Sequence, residues 1–189
     1  MESVKVMKRT LGLIGIFLAS VAMVMPVRGA DTNVIGKRLG VYDSRVVAYA
    51  WFCSDAQQAK LKEQVAIARA AKEAGDTNKF KEYSAELRAK QDQMHREVFS
   101  TAPAAEALAT LKGRIPEIEQ AAGVAHLVSK WDKPSLNQYA GAETVDVTDT
   151  LVHAFLQPTK EQLKVIASIK RLTPLPLDQC NELIRTGKI

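Results

Sequence analysis

The stretch from 55 to 99 holds 45 residues with no proline and a single glycine, Gly75, near its middle. It is rich in Ala, Lys, Gln and Glu, all strong helix formers, and Gly75, Asp76 and Asn78 supply its one turn signal. In the first half Leu61, Val65 and Ala68 fall at helical spacing. In the second, Phe80, Tyr83, Leu87, Met94 and Val98 keep steps of three, four and seven, the pattern of a narrow coiled-coil seam. An antiparallel hairpin of two helices is expected, each arm about 20 residues and so on the order of 30 Å long. One thin apolar stripe per arm is too little for a core element, so the hairpin should project from a body built by the rest of the chain.

That body is predicted from both flanks. Residues 34–42 alternate loosely between apolar and polar and read as a strand. Asp43 and Ser44 then offer capping oxygens for a helix from about Arg45. The segment 46–52 is almost wholly apolar, so it is buried or faces a partner chain; a strand running on through it is the competing reading. After the hairpin, Pro103 suits the first turn of a helix whose stripe is Leu108, Leu111, Ile115, Ile118 and Ala122. Pro116 either kinks that helix or begins a second one after Gly113. Residues 125–131 read as a second strand, 132–143 as a loop and 144–147 as a third strand. A helix from Thr148 or Asp149 reaches Phe155, another runs from Pro158 or Thr159 to about Leu172, and a last short one lies around Cys180 to Arg185. The expected fold class is α+β: a small three-stranded sheet body, a projecting antiparallel helical hairpin and a helical C-terminal extension over about 157–189.

The N-terminus has the three-part order of a cleavable export signal over 1–30: Lys5, Lys8 and Arg9, an uncharged apolar run over 11–25, then Pro26 and the small residues Gly29 and Ala30. The apolar run is shorter than the ~20 residues a membrane-crossing helix needs, so no stable membrane insertion is expected after cleavage, and 31–189 is read as one domain in the periplasm or another exported compartment. Four of the 26 basic residues and one of the 21 acidic ones lie in the signal, leaving 22 against 20. The basic balance of the whole chain is therefore mostly an export feature, and a nucleic-acid partner is not expected.

Two cysteines, Cys53 and Cys180, allow one disulfide in an oxidising compartment, or remain two free thiols. The three histidines, His95, His126 and His153, show no metal-ligand spacing, and neither a nucleophile elbow nor a glycine-rich phosphate loop occurs. No metal and no cofactor are expected, and the chain is read as a non-enzyme. The competing reading is an exported small-molecule-binding protein or enzyme with a cleft at the strand ends around Asp43, Arg45 and Asp132, although Asp43 is equally a natural helix cap and Arg45 its ion-pair partner.

The segment Ile35-Gly-Lys-Arg-Leu-Gly-Val-Tyr-Asp-Ser-Arg-Val-Val resembles the opening strand of the OmpH/Skp family of periplasmic chaperones. His126-Leu-Val-Ser-Lys-Trp-Asp and Val145-Asp-Val-Thr-Asp-Thr-Leu resemble that family's closing strands and its final helix start. The resemblance implies a strand body that assembles between chains, usually as a trimer, with Val41, Val47, Leu127, Val128, Val145 and Val147 in the assembly body; the apolar face that includes Tyr49 and Trp51 is either a lid on its own core or part of the same interface. It also implies helical arms that hold unfolded or envelope proteins, with Leu61, Val65, Phe80, Tyr83, Leu87 and Met94 as the contact residues. The arms here are shorter than the family's, and the extension after Phe155 is an addition to its pattern.

Overall fold

The computed structural model describes residues 38–189. The predicted signal peptide and the start of the first predicted strand lie outside these residues. The chain is an α+β protein whose sheet has three short parallel strands, β1 (Leu39–Tyr42), β2 (Leu127–Ser129) and β3 (Thr144–Asp146), in the order β2-β1-β3. The central strand pairs Val41 with Val128 on one side and with Asp146 on the other. Parallel neighbours need long crossovers, and here the first crossover carries most of the molecule. β1 and β2 also approach closely. A Cβ on Gly40 would lie 2.7 Å from Leu127 Cδ2 and 3.0 Å from Val124 Cγ2, so any side chain here requires Leu127 to shift.

Asp43 ends β1 and caps α1 (Ser44–Phe52) by accepting from the Arg45 backbone N–H. The apolar 46–52 segment is thus a helix, and it is buried. α2 (Asp55–Glu73) and α3 (Thr77–Phe99) form the expected hairpin, with Asp76 capping the second arm through the Lys79 N–H. Between 59 and 92 only the small side chains Ala68 and Ala71 are buried. The outer half of the hairpin is therefore two arms packed closely on alanines and otherwise open to solvent.

The 103–122 region resolves into two helices, α4 (Ala105–Thr110) and α5 (Ile115–Ala122), with Pro116 in the first turn of α5 and Gly123 in the left-handed conformation closing it. The segment expected to be a loop holds a short helix, α6 (Lys133–Gln138). Asp132 caps it by accepting from both the Ser135 N–H and its hydroxyl, and Pro134 stands in its first turn. α7 (Thr148–Phe155) follows β3, and the extension supplies α8 (Lys160–Arg171), opened by a Thr159–Gln162 capping box, and α9 (Leu177–Arg185).

The core gathers Val46, Val47, Ala50 and Trp51 of α1, Leu151 and Val152 of α7, Ala107 and Leu111 of the α4 region, and Ile166 and Ile169 of α8. This corrects one expectation. Val47, Trp51, Val128 and Val147, expected at an assembly interface, are all buried within this one chain, and Val41, Tyr49 and Val145 are half-buried beside them. α8 covers the face of α1 that the sequence leaves looking unpartnered. The extension is stitched on further by Thr101 N–H donating to Leu175 O, Leu175 N–H donating to Phe99 O, and Arg45 Nη1 donating to Leu172 O at 2.7 Å.

Candidate functional site

The groove at the root of the hairpin is built where α2 leaves α1 and α3 returns to it. Leu61 and Val65 on α2 face Leu87 and Met94 on α3, with Tyr49 and Phe52 of α1 as the floor, and the space enclosed is about 380 Å³. Leu61 and Val65 keep 38% and 40% of their surface in water. The small buried side chains between the arms, Ala68 and Ala71, lie further out, and Gln64 Nε2 donates to Glu86 Oε2 across the arms at 3.0 Å. Of the predicted contact residues, Leu61, Val65, Leu87 and Met94 come together in this groove. Phe80 and Tyr83 do not; they lie toward the tip, where Lys72 sits over the Phe80 ring at 5.8 Å.

Three lining features escaped the sequence reading: the aromatic floor, the amides Gln57, Gln58 and Gln91, and Lys90. A signal was present for the last. The apolar steps 80, 83, 87, 94 skip one turn, and Lys90 and Gln91 stand in that gap. The Lys90 ammonium lies 4.4 Å from the Trp51 ring centroid and 5.3 Å from that of Phe52, and it donates to Gln93 Oε1 at 3.1 Å and Glu106 Oε2 at 3.3 Å.

Two turns beyond Lys90 along α3, Glu97 is buried. It accepts from Gln93 Nε2 at 2.9 Å through Oε1, while Oε2 has no partner among the described residues. Burial pushes its carboxyl above the ordinary value of 4.5; the Gln93 hydrogen bond pulls the other way, Glu106 adds to the rise, and Lys90 and Arg96 oppose it. A carboxyl raised in the fold favours the protonated native state, so its contribution is fullest below 4.5 and is lost as pH rises through the folded value. Glu97→Gln keeps the bond to Gln93 and removes the desolvated charge. It is expected to flatten the decline of stability above pH 4.5, read by urea melts across pH.

The predicted polar cleft is a different object. Asp43 and Arg45 are brought together as a buried ion pair, 1% and 2% exposed, with Arg45 Nε and Nη2 at 3.1 and 3.0 Å from the two carboxylate oxygens. Lys130 Nζ, at 2.8 Å, and Trp131 Nε1, at 2.9 Å, complete the shell, and the Arg45 guanidinium lies 4.8 Å from the Trp131 ring centroid. Burial alone would push the Asp43 carboxyl up, but hydrogen bonds from Arg45, Lys130 and Trp131 outweigh it and hold it below its ordinary value. Every strong acceptor site on Asp43 is in use, so this is a structural hub that ties β1, α1 and the end of β2 together. Asp132 does not join the pair. Its oxygens cap α6, and its charge, after burial, helps push the Tyr42 phenol up to about 12.

The possible disulfide is not formed. Cys53 closes α1 beside Tyr49 and Gln162, whereas Cys180 packs against the end of α3, its Sγ 3.8 Å from His95 O. Burial raises both thiols above their ordinary value, so neither is a ready nucleophile. A comparison with protein families, curated proteins and solved structures finds no match to this chain. Among the described residues no helix is long and apolar enough to cross a membrane.

Proposed function

We propose that this chain is an exported, non-enzymatic holdase-type module that grips apolar segments of unfolded or envelope proteins in the groove at the root of its helical hairpin. The observation that carries this reading is the groove itself: an aromatic floor and two aliphatic walls, with Leu61 and Val65 left partly in water. Contiguous apolar surface of that kind on a folded chain marks a binding site. The reading is supported by the element order that the OmpH/Skp resemblance implies, by the export-signal pattern of residues 1–30, and by the structural use of Asp43, Arg45 and Asp132, which leaves the predicted cleft without a free acid–base pair. Binding through the groove needs neither a cofactor nor an assembled cavity, because its lining comes from one chain.

Leu61→Asp with Val65→Asp places two carboxylates on the exposed wall without touching the buried core. The double variant is expected to stay folded by circular dichroism and to lose at least about tenfold of its capacity to suppress aggregation of a denatured outer-membrane protein, measured by light scattering. Undiminished suppression would place the contact surface elsewhere.

A further inference from the structure

We infer that the groove selects apolar segments that also carry a carboxylate, with Lys90 as the specificity-determining residue; this rests on the protein-binding reading above. Among the described residues eleven side chains line the groove, and Lys90 is the one that bears a charge. The others are aromatic, aliphatic, sulfur-containing or carboxamide groups, so Lys90 is the one charged group on the groove lining, with the Glu106 carboxylate 3.3 Å from its ammonium.

The ammonium is held in place by the Trp51 and Phe52 rings and by Gln93, and it is only 28% exposed, so its charge is not fully screened by water. It has three donors. One is spent on a neutral amide, another on Glu106, whose side chain is 59% exposed. A surface pair of that kind is weak and exchanges readily, so a carboxylate arriving with a ligand can take the place of Glu106.

The geometry fits one occupant: a polypeptide segment in which a Leu, Met or Phe side chain enters between Leu61 and Leu87 and a neighbouring Asp or Glu meets Lys90. A peptide is favoured because the rim carries the carboxamides of Gln57 and Gln91, whose N–H and C=O groups match those of a peptide backbone. Charge complementarity of this type chooses between ligands more than it adds raw affinity.

The test is a titration of the purified protein with two fluorescein-labelled peptides of equal length, one bearing Leu-Phe-Glu and the other Leu-Phe-Gln. The acidic peptide is expected to bind about fivefold tighter, with the preference shrinking as salt is raised. Lys90→Gln should abolish the preference by weakening only the acidic peptide, Lys90→Arg should keep it, and Glu106→Gln should tighten the acidic peptide about twofold. Equal binding of both peptides to the unaltered protein, or a preference that survives Lys90→Gln, overturns the inference. If that equal binding is lost with Leu61→Asp, the protein-binding reading still stands. If neither peptide binds and the Leu61 and Val65 variant still suppresses aggregation, both readings fall. Displacement of both peptides by laurate at lower concentration than either peptide needs, sensitive to Lys90→Gln, reassigns the site to an acyl carboxylate and overturns the peptide occupant.

Discussion

Asp43→Asn is expected to cost the fold about 3–5 kcal/mol, the range for breaking a buried ion pair by removing one partner. The substitution is chosen so that little else changes. Asn is as good a helix cap as Asp, so the bond to the Arg45 N–H that starts α1 can persist, and the side-chain volume is nearly the same. What goes is the negative charge that faces Arg45, 2% exposed, and the Lys130 ammonium. Lys130 is half-buried and can turn to water; the Arg45 guanidinium cannot, because it is fixed under Trp131 and against Leu172 O. The double variant Asp43→Asn with Arg45→Met is expected to recover part of the loss, since a buried pair removed as a whole is far less costly than one partner removed alone. Urea denaturation of the four proteins in the cycle gives the coupling. The pH dependence adds a sign. A carboxyl held low in the fold and ordinary in the unfolded chain contributes stability that is present above its unfolded value and lost as pH falls through the folded one. The unaltered protein should therefore lose stability in acid more steeply than the double variant.

The elements that were legible in the sequence are those whose signals are local. Both hairpin arms follow from composition and from Leu61, Val65, Phe80, Leu87 and Met94 at helical steps. α1 follows from Asp43 and Ser44 as caps, and α9 and α8 from their proline and threonine punctuation. Long-range facts were not legible. Nothing in 39–42 says that its partner strands are 127–129 and 144–146, or that both run parallel to it. The apolar run of α1 says that it must be covered, but the covering residues Ile166 and Ile169 lie more than a hundred positions later, and a partner chain would satisfy the same pattern. Asp132 was ambiguous for a related reason: a carboxylate before a proline-containing segment serves equally as a cleft acid and as a cap, and only the Ser135 bonds decide. In the groove the aliphatic walls could be read off the stripe. The floor could not, because Tyr49 and Phe52 reach it from a helix whose sequence looks uniformly buried.

A chain ended after Leu156, without α8 and α9, is expected to lose its fold. The extension buries Ile166 and Ile169 in the main core and Ile184 against the root of α3. At ~1.5–3 kcal/mol for each buried aliphatic side chain, these three contribute roughly 5–9 kcal/mol, which is comparable to the whole stability of a domain, about 5–15 kcal/mol. The truncation also removes the carbonyl of Leu172 that receives Arg45 Nη1, and the Leu175 backbone bonds that hold 99–101 in place. Far-UV circular dichroism should show no cooperative melt, and light scattering should show aggregation through the uncovered face of α1. The contrary result has a definite meaning. A truncated chain that melts cooperatively and has the mass of a trimer would show α1 faces from separate chains covering one another, as the resemblance implies for the assembled body. The C-terminal helices would then be a cover that holds this chain apart from its copies, and the hairpin groove would have to be re-examined as part of a shared cavity.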